Sequence, residues 1–109
     1  MQIQFPLILD GATGTELQKR GFTGDVSAEE WVLAHPEAIA DIQRGYVQAG
    51  SQVLYCPSFG ANRQKLEEHG IFNKTADYNR RLAELSKKAA EGRALIAGDL
   101  SPTGLFLAP

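Results

Sequence analysis

Three short strings hold the residues able to do chemistry: Asp10-Gly11, Cys56-Pro57-Ser58 and Gly98-Asp99. Each follows an apolar run, and each sets an acid, a thiol or a hydroxyl among small or turn-forming neighbours. A carboxylate so placed can hold an ammonium group or carry a proton, and a hydroxyl can orient a polar ligand. The string Asp10-Gly11-Ala12-Thr13-Gly14-Thr15 is also glycine-rich, which suits backbone N–H groups to an anion. It lacks both the Gly-Lys-Ser/Thr of a phosphate loop and the full spacing of a dinucleotide fingerprint. A tight turn in which Asp10 caps the next helix explains the same residues equally well.

Other reactive types read as structural. Cys56 is the only cysteine, and one thiol makes neither an internal disulfide nor a Cys-rich zinc site. No neighbour lowers its pKa, so it reads as a small buried hydrophobe rather than a nucleophile. His35 precedes Pro36 and His69 precedes Gly70, and both read as helix-end residues. Lys74, Arg80, Arg81, Lys87, Lys88 and Arg93 alternate with Asp77, Glu84 and Glu91, the pattern of a solvated helix face. Trp31, Tyr46 and Phe59 read singly as packing residues. Asn79 has two readings, a helix-to-loop hydrogen-bonding residue or an exposed one.

The elements that position these strings follow from hydrophobic period. Phe5-Pro6-Leu7-Ile8-Leu9, Gln52-Val53-Leu54-Tyr55-Cys56 and Ala94-Leu95-Ile96-Ala97-Gly98 are short apolar runs, predicted as buried strands. Pro6 stands at the entrance of the first, where a missing N–H costs least. Between them lie helical periods. Residues 13–20 form a short helix closed by Gly21. Ser27-Ala28-Glu29-Glu30 is a capping box that opens a helix through Leu33. Pro36 starts the next helix, with Ile39, Ile42, Tyr46 and Ala49 on one face. Asn62 caps a helix over residues 63–69, and residues 75–91 form the longest helix, with Tyr78, Leu82, Leu85 and Ala89 as its buried stripe. The order strand, helices, strand, helices, strand specifies an α/β fold of parallel strands joined by helical crossovers. In such folds ligands gather beyond the C-terminal ends of the strands, where the three strings lie. Three strands leave both edges open, and residues 105–109 read as the middle of a loop, so the chain is expected to be truncated on its C-terminal side.

Composition narrows the function classes. The chain has 109 residues, 43% of them hydrophobic, enough for a core of its own. Eleven Lys and Arg against 13 Asp and Glu give a formal charge of −2, which argues against a nucleic-acid binder. The apolar runs are too short to span a bilayer, and residues 1–9 lack the form of a signal peptide. A cytoplasmic protein with no membrane partner is expected.

Four strings in register go further. Leu9-Asp10-Gly11-Ala12-Thr13-Gly14-Thr15-Glu16-Leu17, then Pro36-Glu37 with Tyr46-Val47-Gln48-Ala49-Gly50-Ser51, then Ser58-Phe59-Gly60-Ala61-Asn62-Arg63-Gln64-Lys65-Leu66, and Ala97-Gly98-Asp99-Leu100-Ser101-Pro102-Thr103-Gly104 together resemble the homocysteine S-methyltransferase family. The resemblance implies a TIM (β/α)8 barrel of which residues 1–109 would supply about the first three βα units. It implies methyl transfer to a zinc-bound homocysteine thiolate to give methionine, with the three zinc-binding cysteines beyond Pro109 and Cys56 not among them. The strings favour the 5-methyltetrahydrofolate-dependent methionine synthase type, with cobalamin in an adjoining domain. Betaine- or S-methylmethionine-dependent enzymes are the second reading, and a non-catalytic α/β binding or assembly module is the third. Carried over residue by residue, the resemblance implies that Asp10 contacts the homocysteine amino group and that Gly11 lets the backbone approach the ligand. Asp99, with Gly98, matches the third strand's end. Cys56-Pro57-Ser58 stands where the family more often has Thr-Asn-Thr, which moves part of a hydroxyl contact from Cys56 to Ser58. Alone, the fragment is expected to be inactive and to self-associate.

Overall fold

The computed structural model describes residues 3–105 and 107. Its strands are β1 (Val53–Tyr55) and β2 (Leu95–Ala97), paired in parallel with Leu54 opposite Ile96. On the other side of β1, Leu9 makes a single parallel bridge to Val53. The chain thus runs in the same direction at three adjacent places, in sequence order across the sheet. The first predicted strand is reduced to that bridge for a local reason. Pro6 has no N–H to give, and Ile8 spends its N–H on the side chain of Gln52 (2.9 Å) rather than on a ladder. The Ile8 carbonyl accepts from both Gln52 and Val53, and Asp10 N donates to the Val53 carbonyl at 3.0 Å.

Among the described residues there are five α-helices, of which α3 and α5 pack on the strands: α1 (Gly14–Lys19), α2 (Ala28–Ala34), α3 (Pro36–Gln48), α4 (Arg63–Glu67) and α5 (Thr75–Ala90). Their starts are the ones the sequence marks. Ser27 accepts from the Glu30 amide at 3.1 Å, Asn62 accepts from the Lys65 amide at 2.9 Å, and Pro36 opens α3. The helix predicted over 63–69 closes at Glu67, because the Ile71 amide turns back to Leu66 and a short 3₁₀ turn, Phe72–Lys74, leads into α5. That turn has no sequence signature.

The larger core joins Leu17, Val32, Ile39, Ile42, Cys56, Leu66, Tyr78 and Leu82, with α3 and α2 both packed on α5. A smaller cluster of Val47, Leu54, Ala90 and Ala94 seats β1 against the ends of α3 and α5. Most of the predicted stripes are buried as read. Ala49 is the exception: it is exposed at the end of α3, and Val47 is buried in its place. Asn79 resolves as a helix-to-loop residue, donating to the Ala61 carbonyl at 2.6 Å. His35 closes α2, its ring stacked on Trp31 at 4.2 Å. No described helix is long and apolar enough to cross a membrane. Of the predicted terminal loop, residues 106, 108 and 109 lie outside the described residues.

Candidate functional site at the strand ends

Parallel pairing carries Asp10, Cys56 and Asp99 to the same end of the sheet. Beyond that end lies a cavity of about 280 Å³, lined by Thr13, Gly14 and Leu17 at the start of α1, by Ala28, Glu29 and Val32 of α2, by Tyr55, Cys56, Pro57 and Phe59 after β1, and by Asp99 after β2. Its walls are mostly apolar, with two carboxylates, Glu29 and Asp99, and no cationic side chain among the described lining residues.

The five predicted site residues divide by what they touch. Cys56 and Asp99 line the cavity. Asp10 stands behind it: its Oδ2 accepts from the Tyr55 amide at 3.1 Å and so fixes the residue that forms the wall. Ser58 is buried and clasps the end of β2, donating to the Asp99 carbonyl at 3.0 Å and accepting from the Asp99 amide at 3.2 Å. Its hydroxyl is therefore engaged with the backbone that aims Asp99. Gly11 has Tyr46 against it. A Cβ there would lie 2.8 Å from the Tyr46 ring, and the Tyr46 hydroxyl donates to the Ala12 carbonyl at 2.6 Å. The glycine is needed for that ring to pack over the Asp10–Ala12 turn.

Electrostatics follow from burial and from the two aspartates. Burial pushes the Asp10 carboxyl above its ordinary value. The Tyr55 amide and the residue's own N–H pull it back, and negative Asp99 adds to the rise. Burial likewise raises the Cys56 thiol, against a lowering hydrogen bond with Ser58 and with Asp99 raising it further. A raised thiol is a weak nucleophile, in line with the reading of Cys56 as a hydrophobe. Among the described residues no three His, Cys, Asp or Glu side chains come together as a metal-ligand set.

Glu29 and Tyr55 were not legible as site residues. Glu29 is 7% exposed, and its Oε1 accepts from the Gly60 amide at 2.8 Å, thirty-one positions away. In the sequence it is one more acid in the first turn of a capped helix.

The comparison with known proteins decides the family. The homocysteine S-methyltransferase model matches residues 7–109. The chain belongs to the homocysteine S-methyltransferase family. Betaine–homocysteine S-methyltransferase 1 of Danio rerio is 36% identical over 110 aligned positions, covering 93% of this chain and 26% of the relative. The Pongo abelii enzyme of the same name is 34% identical with the same coverage. Among solved structures, the metallated form of the homocysteine methyltransferase MmuM from Escherichia coli superimposes with a TM-score of 0.80 at 31% identity, over 93% of this chain and 39% of that one. Its oxidized form gives 0.70 at 30% identity.

The chain thus spans about a quarter of the length of these curated relatives and under two-fifths of the solved enzyme. The α/β fold with parallel strands matches part of that enzyme, and a closed barrel is not formed by the residues described here. The relatives correct one expectation. They carry the betaine-dependent name, the branch read second from sequence, and nothing supports the cobalamin-dependent type placed first. The strings that suggested it, around Gly60-Ala61-Asn62-Arg63 and Gly98-Asp99, serve the fold: Asn62 caps α4 and bonds Ser101 at 3.0 Å, and Asp99 is clasped by Ser58.

Proposed function

We propose that residues 1–109 supply the first βα units and part of the amino-acid pocket of a betaine-type homocysteine S-methyltransferase. In that reaction a methyl group leaves the quaternary nitrogen of betaine and bonds to the homocysteine sulfur. Methionine and dimethylglycine are the products. Asp10, half-buried at the strand end behind the Tyr55 wall, supplies a carboxylate toward the substrate ammonium, and Asp99 gives the cavity an acidic wall that suits a cationic group. The apolar remainder, with Tyr55 and Phe59, suits the methylene chain. Zinc, which activates the thiol in this family, falls to residues other than these.

The observation that carries the proposal is the family match over residues 7–109, and the cavity lined by Cys56 and Asp99 at the strand ends supports it. The test is methyl transfer from labelled donor to homocysteine by the protein expressed from its own reading frame, with zinc supplied. Label in methionine with betaine as donor supports the proposal. Transfer from S-methylmethionine or methylcobalamin but not from betaine would assign another branch, and no transfer from any donor would overturn the catalytic reading.

A further inference from the structure

The loop after β1 is held at two points. Ser58 clasps the Asp99 backbone on one side. On the other, the Gly60 amide donates to Glu29 Oε1 at 2.8 Å. Between them Phe59 lines the cavity and stays 58% exposed. An exposed aromatic would ordinarily sample many positions, but here both its neighbours are fixed to different elements. Glu29 is a costly choice for a latch, because a nearly buried carboxylate gives up most of its hydration. The geometry is also exclusive: a Cβ on residue 60 would lie 2.8 Å from Glu29 Oε1 and 3.2 Å from its other oxygen. The carboxylate and the glycine therefore require each other. Among the described residues the partner that the Glu29 carboxylate holds is the Gly60 amide.

From this we infer that Glu29 is a positioning residue. Through the Gly60 amide it locks the Cys56–Gly60 loop, and with it Phe59, as the fixed wall of the cavity. The inference rests on the proposed homocysteine site for its functional readout. Its structural readout is independent of that site.

The test is a mutant cycle in the protein expressed from its own reading frame, read by homocysteine titration and thermal melting. Glu29→Gln keeps an oxygen for the Gly60 amide and should bind homocysteine within about threefold of the parent. Glu29→Ala and Gly60→Ala should each weaken binding by about tenfold, and the double variant should be no weaker than either single one, because removing the carboxylate makes room for the new methyl group. Full affinity in Glu29→Ala would overturn the inference. So would multiplication of the two losses in the double variant, or a Glu29→Gln as weak as Glu29→Ala, which would indicate a charge contact with ligand. Failure of the parent to bind homocysteine would sink the proposed function instead. The latch is then judged on the Gly60 amide proton by NMR: a resonance that follows a carboxylate titration and shifts in Glu29→Ala sustains it, and one indifferent to both overturns it.

Discussion

The Asp10 carboxyl is shifted in the direction that burial dictates. Its folded pKa lies above the unfolded value, so folding favours the neutral acid. The associated stability is fully present below the unfolded value and is lost as pH rises through the folded one. Above the folded value the charged carboxylate is the form that folding disfavours. Asp10→Asn retains an oxygen for the Tyr55 amide and removes the charge. Its melting temperature at pH 7 should equal or exceed that of the parent, and the difference should shrink as pH falls through the raised folded value and vanish below the ordinary aspartate value. A clear loss of stability at pH 7 would show instead that the carboxylate is a structural anchor. Cys56 makes the opposite case: buried and raised in pKa, it should react with iodoacetamide at least about tenfold more slowly in the folded protein than in urea. Equal rates would mean an open, reactive thiol.

At the level of elements, short-range signals were readable and long-range ones were not. Ser27, Pro36, Asn62 and the residues of the α5 stripe act within one or two turns, and each lies where spacing put it. The first strand failed because its outcome depends on Gln52, forty-four residues away from Ile8, whose side chain takes the N–H a ladder would have used. The site shows the same division. Asp10, Cys56, Ser58 and Asp99 lie near one another because parallel strands deliver their C-terminal ends to one place. The Glu29–Gly60 contact and the Tyr46 ring over Gly11 join distant segments with no periodic trace. Gly11 consequently answers to packing as well as to any ligand. Gly11→Ala should destabilise the protein by about 1–3 kcal/mol, a fall in melting temperature of several degrees for a chain this size. An unchanged melting temperature would mean that the Tyr46 ring moves aside freely.

The described residues form an α/β unit with α3 and α5 packed on the strands and many large apolar side chains left exposed. Ile3, Phe5, Ile8, Leu9 and Tyr55 are exposed around the sheet, as are Leu100, Leu105 and Leu107 after β2. The outer edges of Leu9 and of β2 have no strand beside them among the described residues. The match covers 39% of the MmuM chain, and an exposed apolar face with open edges is a surface suited to further packing. The 109-residue chain alone should accordingly sediment as concentration-dependent oligomers, while a monomer at every concentration would show that the apolar face is satisfied from within.

The account stands most directly on the strand-end aspartate as part of a homocysteine pocket. Calorimetric titration of homocysteine into the protein expressed from its own reading frame, parent beside Asp10→Asn, measures this at one pH and then across the acid range. The predicted result is saturable binding in the parent that declines as pH falls through the raised Asp10 value, with at least about tenfold weaker binding in the variant at neutral pH. Equal affinity of the two proteins, each with an intact thermal transition, would contradict it.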